Sequence, residues 1–124
     1  MKKAIAIRWA KALRSGKYAQ GNNYLCEYNG RTPYHNCLGV LTDLYQQECM
    51  AKKKKGLYES EHYVDPALHY GYSFLVIGYG PNHEPKQLTN AVMRWAGIKN
   101  TEDVSKYKSW KALANFIEKN YKEI

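Results

Sequence analysis

No apolar run in this sequence approaches the roughly 20 residues that cross a bilayer. The longest, Phe74-Leu75-Val76-Ile77, is strand-sized. Residues 1–9 have a basic start but too short an apolar stretch for a signal peptide, so the expected location is the cytoplasm. Cysteine is scarce and odd in number. Cys26, Cys37 and Cys49 lack the close C-x-x-C or H-x-x-x-H spacing of a zinc site, which predicts free thiols and no metal. There is no Walker loop and no dinucleotide fingerprint, so no cofactor is expected. No helix-turn-helix, zinc-finger or RNP-type motif is present, which argues against sequence-specific reading of nucleic acid. The acids Glu27, Asp43, Glu48, Glu59, Glu61 and Asp65 form no recognisable pair, and His35, His62, His69 and His83 are isolated. Without a nucleophile, base or carboxylate pair, the reading leans away from an enzyme.

What the chain does have is positive charge and tyrosine. At 124 residues it is expected to form a single domain over 1–124, and its 44% hydrophobic and 24% charged residues are globular composition. The formal charge of +8 favours anionic partners, and Lys52, Lys53, Lys54 and Lys55 supply half of that excess. Such a run either touches phosphate or is a solvated helix end. Twelve tyrosines and three tryptophans bury well, and they also stack on nucleobases.

The spacing of Ile5, Trp9, Ala12 and Leu13 predicts a helix over 3–15 stopped by Gly16. A strand is expected over 24–28, turned back by Asn29-Gly30, the strongest two-residue hairpin signal. A second helix is expected from Asn36, its cap, to about Met50. Gly39 within it costs roughly 1 kcal/mol relative to Ala, so close approach of a backbone or ligand is expected there. Residues 57–70 show no periodicity, with Asp65-Pro66 as a turn, and residues 72–79 read as a buried strand. Residues 80–83 read as a loop. Leu88, Ala91, Val92 and Trp95 mark a third helix closed by Gly97, with Ile98 beyond it as in a Schellman ending. Trp110, Leu113, Ala114, Ile117 and Tyr121 mark a fourth, capped by Ser109. The expected fold is α+β: about four helices packed on a small antiparallel β-sheet.

The candidate ligand-binding residues lie where two loops meet. If the start of the second helix is open, its N–H groups attract an anion. Arg31, His35 and Asn36 precede it, and Arg14, Lys17 and Tyr18 follow the first helix. Cys37 sits at the helix start two residues from His35, where a dipole would activate a thiolate; the alternative is a small buried hydrophobe.

Residues 9–20, with Trp9, Ala12-Leu13-Arg14-Ser15-Gly16, Tyr18 and Gln20, resemble a W-x-x-A-L-R-S-G-x-Y-x-Q motif. It belongs to a family of small accessory proteins of tailed phages and prophages. That family's second motif, [FY]-C-C-L-G-V-L-x-D-L, is similar to residues 35–44, with His35 and Asn36 replacing the first aromatic and first cysteine. The replacement leaves one thiol and speaks against two-cysteine chemistry. The family's F-x-x-I-A-x-x-I-E ending is similar to residues 110–118. The resemblance implies a phage protein in an infected bacterial host and carries no enzyme activity. Together with charge and tyrosine content, it makes the expected function inhibition of host antiviral defence. The means would be sequestering a nucleotide-derived signal, such as a cyclic oligonucleotide or ADP-ribose derivative, in a homo-oligomer. The alternatives are an inhibitor that docks on a host defence protein and an unrecognised enzyme that degrades such signals.

Overall fold

The computed structural model describes residues 1–21, 23–57, 61–64, 74–79 and 83–124, with backbone alone at 61–64 and 74. Helix α1 (Lys3–Arg14) buries Ile5, Ala6, Trp9, Ala10 and Leu13, one continuous stripe at helical spacing. Lys11 and Arg14 occupy its last turn, where cations oppose the negative pole, and Gly16 follows at φ +72°. Helix α5 (Trp110–Asn120) supplies the matching stripe of Leu113, Ala114 and Ile117, and α1 packs most extensively against it. Between them in sequence come α2 (Cys37–Ala51), α3 (Asn90–Ala96) and the single turn α4 (Glu102–Ser105). A closing 3-10 turn spans Tyr121–Glu123. The caps are those the residue types favour. Asn36, Thr89 and Ser109 accept from the N–H groups of Gly39, Val92 and Ala112. Helix α3 ends in a Schellman motif: Ile98 N–H donates to Met93 O, Gly97 N–H donates to Arg94 O, and Gly97 is left-handed. Helix α2 ends the same way with Lys53 at φ +53°, so a lysine holds a place that usually falls to glycine.

Strands β1 (Ala19–Gln20), β2 (Glu27–Asn29), β3 (Thr32–His35), β4 (Glu61–Val64) and β5 (Phe74–Gly78) make one sheet in the order β1-β3-β2-β5-β4. The class is α+β. The sheet is mixed instead of wholly antiparallel, because β1 pairs with β3 in parallel while every other pairing is antiparallel. The chain reverses once between β1 and β2 and again at the β2–β3 hairpin, so β1 and β3 run the same way. The hairpin turn sits one residue later than expected. Asn29 pairs with Thr32, which leaves Gly30 and Arg31 as the central residues. Gly30, at φ +64°, takes the first central position, the one a type II′ turn gives to glycine.

The expected strand over 24–28 is a ladder only from Glu27. Residues 24–26 instead cross the start of α2 and bond outside the hairpin: Asn36 N–H donates to Tyr24 O, Leu25 N–H to Pro85 O and Ile77 N–H to Cys26 O. Gly39 permits this crossing. A Cβ there would stand 1.7 Å from Leu25 O, so the close approach is a backbone, not a ligand. Helix α4 and strands β1 and β4 were not expected, since two to four residues carry no readable period. The Asp65-Pro66 turn and most of the 80–83 loop lie outside the described residues.

Glu27 is a buried carboxylate in the sheet, and burial pushes its pKa up. A carboxyl whose folded pKa is raised contributes stability below the ordinary glutamate range and loses it as pH rises through the raised value. Glu27→Gln therefore should raise Tm over wild type by a margin that widens from about pH 4 to pH 8. A margin that stays flat or narrows across that window in thermal melts would show that the Glu27 carboxylate is compensated.

Candidate functional site

Tyr18, just before β1, and His35, the last residue of β3, are brought to the side of α2 that carries Asp43 and Gln47. The parallel β1–β3 pairing does this, since Gln20 pairs with His35 and Ala19 with Tyr34. The Tyr18 hydroxyl donates to Asp43 Oδ2 at 2.5 Å, and Gln47 Nε2 donates to the same oxygen at 2.7 Å. Gln47 also reaches the Tyr18 hydroxyl at 3.2 Å. Tyr18 and His35 meet edge to face with ring centroids 5.2 Å apart. Burial and the neighbouring Asp43 carboxylate both raise the Tyr18 pKa, so the phenol stays a donor. Burial lowers the His35 pKa, with Asp43 opposing, which favours the neutral ring at pH 7. Its Nδ1 is buried without a hydrogen-bond partner, an arrangement that costs about 1–3 kcal/mol until something fills it.

Tyr18, His35 and Asp43 line a cavity of about 590 Å³, within the size range of small-molecule sites. Tyr28 and Tyr79 add rings to its wall, and Lys17 adds a cation. Met50 and Gly56 also line it, and they bracket the four exposed lysines at 52–55, which sets positive charge beside the cavity. The interior thus offers a neutral imidazole and a hydrogen-bonded carboxylate, with cations around them. That arrangement suits a ligand with a polar ring edge and an anionic tail.

The expected site residues part company. Lys17, Tyr18 and His35 share this cavity. Asn36 and Cys37 line a different cleft. Arg14 clasps α1 to α5, pairing with the Glu118 carboxylate and donating to Asn115 Oδ1 at 2.6 Å. Arg31 stands exposed at the hairpin turn. The start of α2 is not open, because Asn36 caps it and residues 24–26 cross it. Cys37 is half-buried, and its thiol is not activated: desolvation outweighs the helix start and pushes it up to about 11. Asp43 and Gln47 were missed as site residues. Asp43 is the aspartate of the second motif, and Gln47 stands one turn on from it, on a helix that also carries Thr42, Gln46 and Glu48. Among the described residues no group of three His, Cys, Asp or Glu is placed to hold a metal ion. No helix among them is long and apolar enough to cross a membrane.

The sequence model of one protein family, a domain of unknown function, matches residues 1–122. The chain belongs to the DUF8296 family. No curated protein and no solved structure matches it significantly. In this DUF8296 chain the match spans both sides of the cavity, from Tyr18 before β1 to Tyr79 after β5.

Proposed function

We propose that this chain is a non-enzymatic phage accessory protein that sequesters a nucleotide-derived signal, such as a cyclic oligonucleotide or ADP-ribose derivative. It thereby inhibits host antiviral defence in the bacterial cytoplasm. The observation that carries the reading is the buried, partnerless His35 Nδ1 in a tyrosine-walled cavity beside cations. A base edge bonds His35 and Asp43, the rings of Tyr28 and Tyr79 pack against the base, and Lys17 pairs with phosphate. A sequestering protein must bind tightly, and enclosure between protomers of a homo-oligomer supplies further burial. Asp43 and Tyr18 hold each other, so neither is poised as a free base or nucleophile.

A thermal-shift panel of cyclic di- and trinucleotides, cyclic ADP-ribose isomers and plain nucleotides tests this. A ligand at 100 times its Kd adds about 2.7 kcal/mol, several degrees for a domain of this size. The expected result is a wild-type shift with a cyclic oligonucleotide or ADP-ribose derivative, loss of that ligand's shift in His35→Ala, and the ligand recovered intact after denaturation. Ligand consumed would make the protein an enzyme. No shift across the panel would replace the reading with docking on a host protein.

A further inference from the structure

A second cleft, of about 850 Å³, opens between the start of α2, the β1–β2 connection and the α4–α5 connection. It shares no lining residue with the Tyr18–His35 cavity. Lys86 and Lys108 stand on it, together with Tyr107, Trp110 and the amides of Gln20 and Asn36. No carboxylate is among the described residues that line it. Several of these parts are held in place by contacts of their own. The Lys86 ammonium lies 5.4 Å from the centroid of the Tyr24 ring. The Gln20 side chain donates to Lys108 O at 2.8 Å, which fixes the loop before α5. Tyr107 packs one side of its ring on Phe116, with centroids 5.0 Å apart. Helix α5 begins at the cleft, and its positive pole adds to the field of the two lysines.

Two cations, two aromatic rings and amide groups without an opposing acid form the combination that takes phosphate and a stacked base together. We infer that this cleft binds a nucleoside phosphate, free or as part of a single strand, with phosphate on Lys86 and Lys108 and the base stacked on Trp110 or Tyr107. The site is independent of the function proposed above, because none of its residues belongs to that cavity.

The test uses two probes on the full chain: a fluorescein-labelled 12-mer oligouridylate followed by anisotropy, and ADP followed by calorimetry. Three proteins are compared: wild type, the Lys86→Glu/Lys108→Glu double variant, and His35→Ala. Both lysines are exposed, so the double variant is expected to fold, with its Tm as the check. Wild type should bind at least one probe, and the double variant should bind it at least about 10-fold more weakly. With the strand, the log–log salt slope should fall by about 1.4, the value for two lost phosphate contacts. His35→Ala should bind like wild type. Binding of ADP makes free nucleotide a ligand, and binding of the oligonucleotide alone makes the ligand a strand. Absence of binding for both probes, an unchanged double variant, or equal weakening by His35→Ala would each overturn the site.

Discussion

Gly39→Ala should lower the melting temperature by about 10 °C or more, although the same substitution inside an ordinary helix gains roughly 1 kcal/mol. The sign reverses because of what crosses α2. The Cβ of an alanine would lie 1.7 Å from Leu25 O and 2.6 Å from its carbonyl carbon, and backbone atoms cannot swing aside as a side-chain tip does. Leu25 is itself fully buried and tied to Pro85 O through its N–H, and Asn36 N–H is bonded to Tyr24 O next to it. Relief therefore means moving residues 24–26 as a unit away from the helix and breaking those bonds. Overpacking of this kind costs about 3 kcal/mol or more when the neighbour is fixed backbone. Circular-dichroism melts of the variant provide the measurement. A Gly39→Ala protein that melts at or above wild type would mean that residues 24–26 do not pass over the helix.

Trp9→Ala is the second large effect. Trp9 is fully buried in the core among α1, α2 and α5, and its Nε1–H donates to Cys37 O at 2.9 Å. Truncation empties the volume of an indole, at about 3–5 kcal/mol, and removes the indole's bond to Cys37 O, at about 0.5–1.5 kcal/mol more. A domain has about 5–15 kcal/mol in all, so Trp9→Ala should lose most of its cooperative unfolding transition. Trp9→Phe separates the two contributions: it keeps most of the ring packing, removes the donor, and should cost about 2 kcal/mol. Urea unfolding followed by far-ultraviolet circular dichroism reads both. If Trp9→Phe comes within 0.5 kcal/mol of wild type, a value inside ordinary surface-substitution scatter, the bond to Cys37 carries no stability.

The long helices were legible because each repeats its apolar residues over several turns and carries its own stop signals. Ile5, Trp9 and Leu13 in α1, and Leu113 and Ile117 in α5, are buried where their spacing puts them. Asn36, Ser109, Gly16 and Gly97 mark ends through local chemistry that needs no partner from elsewhere in the chain. The demand of Gly39 for a close neighbour was also legible, since an unfavourable residue in a helix must be offset by something.

The candidate site was legible only in part, because its contacts join residues far apart in the chain. Tyr18 and Asp43 are 25 residues apart and meet through the parallel β1–β3 pairing, whose β1 is too short to show a period. Arg14 was expected as a ligand contact, and α5 instead brings Glu118 and Asn115 to it. By itself the sequence determined the four longer helices, the Asn36 and Ser109 caps, the charge and the absence of known catalytic motifs, because these depend on neighbours within a few turns. Which side of the hairpin β1 joins, what crosses Gly39, and which of the candidate side chains share a cavity were decided by tertiary structure. Those outcomes depend on burial and pairing between segments, and no local pattern encodes them.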